Sequence, residues 1–112
     1  MIDSFEKQES LFGRSIFVKM TTTDCGIQLL IAGGDLSHIG AVAIADAKGK
    51  IEVTTFEGHR ETEVARKYAA GLWEKYRVPI VVSAGIHYDN ATHEEIIKIV
   101  NLTNKILEEI LK

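Results

Sequence analysis

The sequence predicts an α+β fold, a two-layer sandwich with two main helices on one face of a mostly antiparallel sheet. The first half of the chain contains four short apolar segments with alternating or β-branched residues, joined in pairs by turn residues. The second half contains two stretches whose apolar residues recur every three to four positions, with one more β-branched segment between them. Runs of strands that precede helices are typical of such sandwiches, and the predicted order is ββββαβα.

The composition limits the size and class of the protein. With 112 residues, 46% of them hydrophobic and 26% charged, the chain suits one domain with a buried core. Thirteen Lys and Arg against 16 Asp and Glu give a net charge of −3, which argues against a nucleic-acid partner. Cys25 is the single cysteine, and the longest uncharged apolar run, residues 39–45, is far below the roughly 20 residues that span a membrane. We expect a cytoplasmic protein without a signal peptide.

The N-terminal part begins with a polar segment and continues as a hairpin. Residues 1–12 are mostly polar and charged, and we interpret them as an N-terminal extension with at most a short helical turn. Residues 13–112 are then the single α+β domain. Within it, residues 14–23 and 26–33 have strand periodicity, and the turn between them ends on Gly26, which can adopt a positive φ.

A second hairpin, a helix and a further strand follow. Residues 41–46 and 50–56 flank a turn that contains Gly49, and the small apolar residues of the first segment are typical of a central strand packed on both faces. The apolar stripe of the helix consists of Val64, Ala65, Tyr68, Ala69 and Leu72. This helix is expected to end near Tyr76, and the β-branched residues 78–86 predict a buried strand.

The last helix has the clearest sequence signature. Thr92 and Glu95 form a capping box, which marks its start. Its apolar stripe consists of Ile96, Ile99, Val100, Thr103, Leu107 and Ile110. Ile97 and Ile106 make the stripe broader than one sheet face requires, so we expect this helix to contact a second subunit in a homodimer.

Candidate functional residues collect in three connections, residues 33–40, 57–61 and 84–95. These connections contain all four histidines, His38, His59, His87 and His93. Histidine is a frequent acid, base and metal ligand. The connections converge if the strands that end at Gly33 and Gly85 are neighbours. The helix openings at Arg60 and Thr92 offer amide donors to an anion.

Recognised catalytic and nucleotide-binding motifs are absent from the sequence. Gly33 and Gly34 fit neither a P-loop nor a dinucleotide-binding fingerprint. The histidines lack metal-site spacing, although His38, His59 and His87 are candidate ligands. If these three histidines do bind a metal ion, the protein is a small metal-dependent enzyme, and this interpretation stays open.

The same three connections carry a family resemblance. The segments GGDLSHIGAVAIA (33–45), GHRETEVA (58–65) and VVSAGIHYDNATHEEI (81–96) resemble the prenylated-flavin chaperone LpdD-like proteins. These proteins are the small D subunits of gallate decarboxylase systems of the UbiD type. The resemblance covers residues 14–111 and implies a fold like that of the proteasome assembly chaperones.

The resemblance implies a non-catalytic protein that binds prenylated FMN, or FMN, and passes it to a UbiD-type aromatic acid decarboxylase. A flavin prenyltransferase is a further partner. The residues that match the family motifs are Gly34, His38, Gly40, Gly58, His59, Glu61, Gly85, His87, Asp89 and Asn90. We add Arg60 and Thr92 as residues that would bind the phosphate of the flavin. We also expect a flat apolar slot for the flavin rings, formed by Leu36, Ile39, Ile86 and Tyr88. An assembly chaperone that binds only protein is the alternative from another class.

Overall fold

The computed structural model describes residues 2–56 and 60–112, without the side chain of Arg60. It has six strands and two helices, β1 Phe5–Leu11, β2 Arg14–Thr23, β3 Gly26–Gly34, β4 Ala41–Ala45, β5 Ile51–Thr55, α1 Arg60–Tyr76, β6 Ile80–His87 and α2 His93–Leu111. The strand order in the sheet is β1-β2-β3-β6-β4-β5, and all neighbours are antiparallel except β3 and β6. The α+β prediction is confirmed. No described helix is both long and apolar enough to cross a membrane.

The first strand corrects the predicted element order. Residues 5–11, which we interpreted as part of an extension with a short helical turn, form an edge strand against β2. Phe12 and Gly13 make the tight turn, with φ of 53° and 75°. The sequence hides this strand because two of its helix-facing positions are Lys7 and Glu9, which interrupt the apolar alternation. Lys7 is satisfied there by an ion pair with Glu109 of α2.

The predicted hairpin turns are present, with two differences in detail. Gly26 follows the first turn without a positive φ, whereas Gly49 in the second turn has φ of 87°. Strand β4 is not packed on both faces as predicted. Ala43 and its alternate neighbours are buried, while Ile44 on the other face is 50% exposed. Within residues 2–56 and 60–112, both helices lie on one face of the sheet, and no element covers the outer face of β4.

The core lies between the sheet and the two helices. Ile16, Leu72 and Ile106 are fully buried in it. Tyr68 of α1 donates a hydrogen bond from its hydroxyl to the carbonyl of Thr103 in α2, at 2.6 Å, and burial raises the pKa of this phenol. Because Ile106 is buried within its own subunit, it does not broaden α2 toward another subunit as the sequence interpretation held.

The parallel pair β3–β6 determines where the connections meet. Gly33 lies opposite Ile86 in the register and Gly34 lies opposite His87, so both strands end at the same edge of the sheet. The chain then crosses the end of β6 to begin β4, and the amide of Gly40 donates to the carbonyl of Ala84 at 2.8 Å. The neighbouring strands that the sequence analysis had to assume are therefore confirmed.

Candidate ligand-binding site

A cavity of about 280 Å³ opens at the edge where β3 and β6 end. We call it the edge cavity. Its lining comes from all three connections and from both helices, and consists of His38, Glu61, Val64, Ala84, Gly85, Ile86, His87, Tyr88, Ala91, Ile96, Ile99 and Val100. Its volume is close to the lower limit of small-molecule pockets, roughly 300 Å³. The edge cavity is therefore large enough for a ring system, but not for a whole dinucleotide-sized ligand.

One side of the edge cavity is polar and built from histidine and carboxylate groups. His38 Nε2 lies 3.5 Å from Glu61 Oε1, and both side chains are largely buried. The rings of His38 and His87 meet edge to face, with centroids 6.5 Å apart. His87 Nε2 lies 2.9 Å from Asp89 Oδ1. Asp89 orients the ring of His87, and Glu61 and the carbonyl of Leu36, 3.4 Å from Nδ1, orient the ring of His38.

The apolar part of the cavity lining comes mainly from the helices. Val64 of α1 and Ile96, Ile99 and Val100 of α2 are only partly buried, since they face the cavity. Sequence reasoning assigned these four residues to helix stripes and missed their place in the site. The helix sequence carries no signal that separates the α2 residues from core residues, because the α2 stripe continues without a break from Ile96 to Ile110.

Of the four residues predicted to form an apolar slot, two line the edge cavity and two do not. Ile86 and Tyr88 line the edge cavity. Leu36 and Ile39 instead point into solvent, 63% and 51% exposed, and are not among the lining residues.

Tyr88 is braced by the hairpin of β1 and β2. Its hydroxyl donates to the carbonyl of Leu11 at 2.9 Å, and burial raises the pKa of this phenol. Phe12 packs edge-on against the Tyr88 ring, with centroids 5.8 Å apart. The hydrogen bond of its hydroxyl and the edge-on contact with the Phe12 ring together hold Tyr88 in one orientation at the cavity wall. The first strand therefore supports the site, which the sequence analysis did not anticipate.

Two predicted site glycines allow close backbone packing around the edge cavity. A Cβ on Gly85 would lie 1.7 Å from the carbonyl oxygen of His38, and one on Gly34 would lie 2.2 Å from that of His87. Gly34 also has φ of 87°, which disfavours any larger residue. Gly40 acts through its backbone bond to β6, described above. These glycines position His38 and His87, and only Gly85 is itself part of the lining.

Three further predicted site residues lie outside the cavity lining. Asp89 orients His87, and its amide donates to Asp35 Oδ2 at 2.8 Å. Asn90 has φ of 53° and shapes the turn. Thr92 is the N-cap of α2, where its hydroxyl accepts from the Glu95 amide, and Glu95 accepts from the Thr92 amide. Of the other predicted residues, Gly58, His59 and the side chain of Arg60 lie outside the described part of the chain.

The helix openings are less suited to a phosphate than the sequence indicated. The capping box takes up the amides of Thr92 and Glu95, and Glu94 and Glu95 lie in the first turn of α2. Helix α1 likewise carries Glu61 and Glu63 in its first turn. Carboxylates at a helix N-terminus already neutralise the positive end of the dipole and repel a second anion. The position of Thr92 is therefore accounted for by its role as the N-cap of α2.

A metal centre finds no support in the described residues. In residues 2–56 and 60–112, no three His, Cys, Asp or Glu side chains come close enough together to hold a metal ion. His38 and His87 are two of the three predicted candidates, and His59, the third, lies outside this part of the chain. We therefore interpret the polar groups of the edge cavity through their hydrogen bonds and ion pairs.

Comparison with known proteins identifies the family. The family model described as the prenylated flavin chaperone LpdD-like domain matches residues 11–112. The chain therefore belongs to the LpdD-like family, as its three connections predicted. No curated protein matches it.

The fold is also found among solved structures. A chain from the crystal structure of a novel chaperone complex for yeast 20S proteasome assembly is similar to this one, with a TM-score of 0.59, 12% sequence identity and 100% of both chains covered. At this identity the likeness concerns the fold alone, and it agrees with the predicted proteasome-chaperone-like architecture.

Proposed function

Starting from membership of the LpdD-like family, we propose that this protein is a non-catalytic carrier of prenylated FMN, or of FMN, for a UbiD-type aromatic acid decarboxylase. The observation that carries the proposal is the edge cavity, which combines apolar side chains from the helices with His38, Glu61 and a His87 ring that is oriented by Asp89. A flavin has the matching character, since its rings are flat and apolar and its edge carries hydrogen-bonding oxygen and nitrogen atoms. Pockets that combine an apolar wall with a few placed polar groups are typical ligand sites.

The residues present fit the ring end of the cofactor. Val64, Ile96 and Ile99 would pack against its rings. His87, whose ring is oriented by Asp89, would hydrogen-bond its polar edge, and His38 beside it would line the cavity. The cavity volume of about 280 Å³ leaves the ribityl phosphate outside. Incomplete enclosure suits a protein that must release its cofactor to another, because a fully buried ligand leaves only after a larger opening of the protein.

The partners follow from this role. A carrier receives its cofactor from a flavin prenyltransferase and delivers it to the decarboxylase, so both enzymes are proposed partners, in the cytoplasm. No chemical step is assigned to the chain itself. We also expect it to act as a homodimer.

The experiment that tests the proposal is a titration with prenylated FMN and with FMN, followed by flavin absorbance and fluorescence. The test variant is Ile96→Glu, which places a carboxylate in the apolar wall. The matched control is Ile97→Glu on the adjacent residue, which is 46% exposed and outside the cavity lining. We expect micromolar binding by the wild type, a loss of about tenfold or more in Ile96→Glu, and unchanged binding in Ile97→Glu, because a buried unpaired carboxylate is costly. No binding by the wild type, or equal binding by both variants, would reject the proposal.

A further inference from the structure

The first strand is less buried than the strand beside it. All seven residues of β1 are partly or fully exposed, although Phe5 and Leu11 at its two ends pack against the core. The neighbouring β2 contains the fully buried residues Ile16, Val18 and Met20. Edge segments with few buried apolar contacts open locally at low free energy while the rest of the protein stays folded. Since β1 is an edge strand with β2 as its neighbour, we expect it to detach more readily than β2 does.

The contacts between β1 and α2 include a group of ion pairs. Lys7 pairs with Glu109, and Glu9 Oε1 lies 3.8 Å from Lys7 Nζ and 3.9 Å from Lys105 Nζ. Partly exposed ion pairs stabilise little and are screened by salt. Among the described residues, the other carboxylate oxygen of Glu9 is buried without a hydrogen-bond partner, which opposes docking because this atom gives up its water. These contacts therefore add little to the docking of β1 against α2.

Strand β1 and its turn reach the edge cavity through Tyr88. The carbonyl of Leu11, the last residue of β1, accepts the hydrogen bond of the Tyr88 hydroxyl at 2.9 Å, and Phe12 packs against the ring. Tyr88 lines the cavity, and among the described lining residues none belongs to β1. A displacement of β1 therefore removes the support of one cavity wall without removing a wall residue.

The connection that carries Tyr88 is anchored independently of β1. The carbonyl of His87 accepts from the amide of Asp35 at 2.7 Å, and Asp35 Oδ2 accepts from the amide of Asp89 at 2.8 Å. Arg14 of β2 holds Asp35 in turn, with its Nε 2.9 Å from Oδ1. These contacts fix the backbone on both sides of Tyr88 when β1 detaches, so it is the Tyr88 side chain that gains freedom to move.

We propose that β1 is a strap that regulates how long the edge cavity keeps its flavin. While β1 is docked, Tyr88 is held against the ligand, and when β1 detaches, the Tyr88 ring is free to turn and the ligand leaves. This role rests on the proposed flavin binding and adds the step that controls release. Residues 5–10 precede the part of the chain that the family model matches, so the strap is an addition to the matched domain. Because coupling between two events is reciprocal, a ligand that contacts the held Tyr88 also stabilises docked β1.

Hydrogen exchange and the release rate of prenylated FMN, followed by flavin fluorescence after dilution, test the strap. Saturating prenylated FMN is expected to slow amide exchange in β1 of the wild type, although β1 lies outside the cavity lining. Tyr88→Phe keeps the ring and removes the donor to Leu11. This protection is then expected to be lost and release to be about fivefold faster, the equivalent of one net hydrogen bond. The matched control Tyr68→Phe removes a core hydrogen bond instead and is expected to keep the protection and the wild-type release rate.

A reversible crosslink provides a second test that does not depend on the Tyr88 variant. Glu6 of β1 and Lys19 of β2 are exposed and lie opposite each other in the register. Cross-strand partners of this kind lie close to the distance that a disulfide spans. Glu6→Cys with Lys19→Cys is made in a Cys25→Ser background, which removes the free thiol. The oxidised protein is expected to release prenylated FMN about fivefold or more slower than the same protein after reduction, the lower end of coupling between sites.

The outcomes separate the strap from the proposed function. Unchanged exchange of β1 on flavin binding would overturn the strap, as would equal release by the wild type and Tyr88→Phe, or equal acceleration in Tyr68→Phe. Equal release by the oxidised and reduced crosslinked protein would also overturn it. In each of these cases the wild type still binds flavin, and the proposed function stands. A wild type that does not bind prenylated FMN would overturn both proposals together.

Discussion

The two halves of α2 carry the same apolar stripe and use it differently. In the C-terminal half, Thr103, Ile106 and Ile110 are buried against the sheet. In the N-terminal half, Ile96 and Ile99 extend past the edge of the sheet and are left half-buried along the edge cavity. One periodic pattern thus produces a core and a binding wall. Whether a residue of the stripe is buried depends on where β3 and β6 end beneath the helix. The helix sequence alone does not show where those strands end.

The largest expected difference between the two halves is in stability. Ile106→Ala removes buried methyl groups from the closed core and is expected to lower the free energy of unfolding by about 3 kcal/mol. Ile99→Ala removes the same atoms beside an existing cavity and is expected to cost about 1 kcal/mol or less, while flavin binding weakens. Urea denaturation of both variants measures the first effect, and flavin titration measures the second. Equal loss of stability in the two variants would show that the halves are not distinct.

A smaller effect is expected from the hydrogen bond that joins the helices in the core half. Tyr68→Phe removes the donor to the Thr103 carbonyl but keeps the ring. The expected loss is about 1 kcal/mol, since the carbonyl is left in a buried environment. Flavin affinity is expected to be unchanged, because neither residue lines the edge cavity. A fall in flavin affinity without loss of stability would contradict the separation of core from cavity.

The smallest effect is expected at the start of the cavity half, from the capping box. Thr92→Ala is expected to cost about 1 kcal/mol or less, the usual range for an exposed N-cap. The hydrogen bonds from the amide and hydroxyl of Thr92 lower the pKa of Glu95. Since the folded pKa lies below the unfolded one, this contribution is fully present above the unfolded pKa and is lost as the pH falls through the folded pKa.

The pH dependence of the capping box can be measured directly. Urea unfolding of the wild type between neutral pH and about pH 3 is expected to show a loss of stability that is smaller in Glu95→Gln, whose side chain does not titrate. Identical pH profiles for the two proteins would mean that the carboxylate of Glu95 does not stabilise the helix start.

Much of the fold was predictable because its elements carry local signals. Alternation gave β2 and β3, helical stripes gave α1 and α2, and the capping box located Thr92 as the first cap. Strand β1 was missed because Lys7 and Glu9 face the helix layer and are paired with charges from α2, which local periodicity does not reveal. An edge strand whose inward-facing charges pair with a helix distant in sequence can be recognised only when the position of that helix is known.

The candidate site was predictable in its polar residues and not in its apolar wall. His38, Glu61 and His87 were found because charged and histidine residues in connections stand out from a core pattern. Ile96 and Ile99 look like core residues, and only the position of the sheet edge distinguishes them. The predicted glycines act through close backbone packing, as Gly85 does against the carbonyl of His38. The sequence marked such positions without indicating what each one contacts.

The proposal that the edge cavity holds a prenylated flavin is tested most directly by the mass spectrum of the small molecule that copurifies with the protein after coexpression with a flavin prenyltransferase. We expect the mass of prenylated FMN with the wild type and with Ile97→Glu, and its absence with Ile96→Glu. A wild-type protein without flavin, or flavin retained equally by all three proteins, would contradict it.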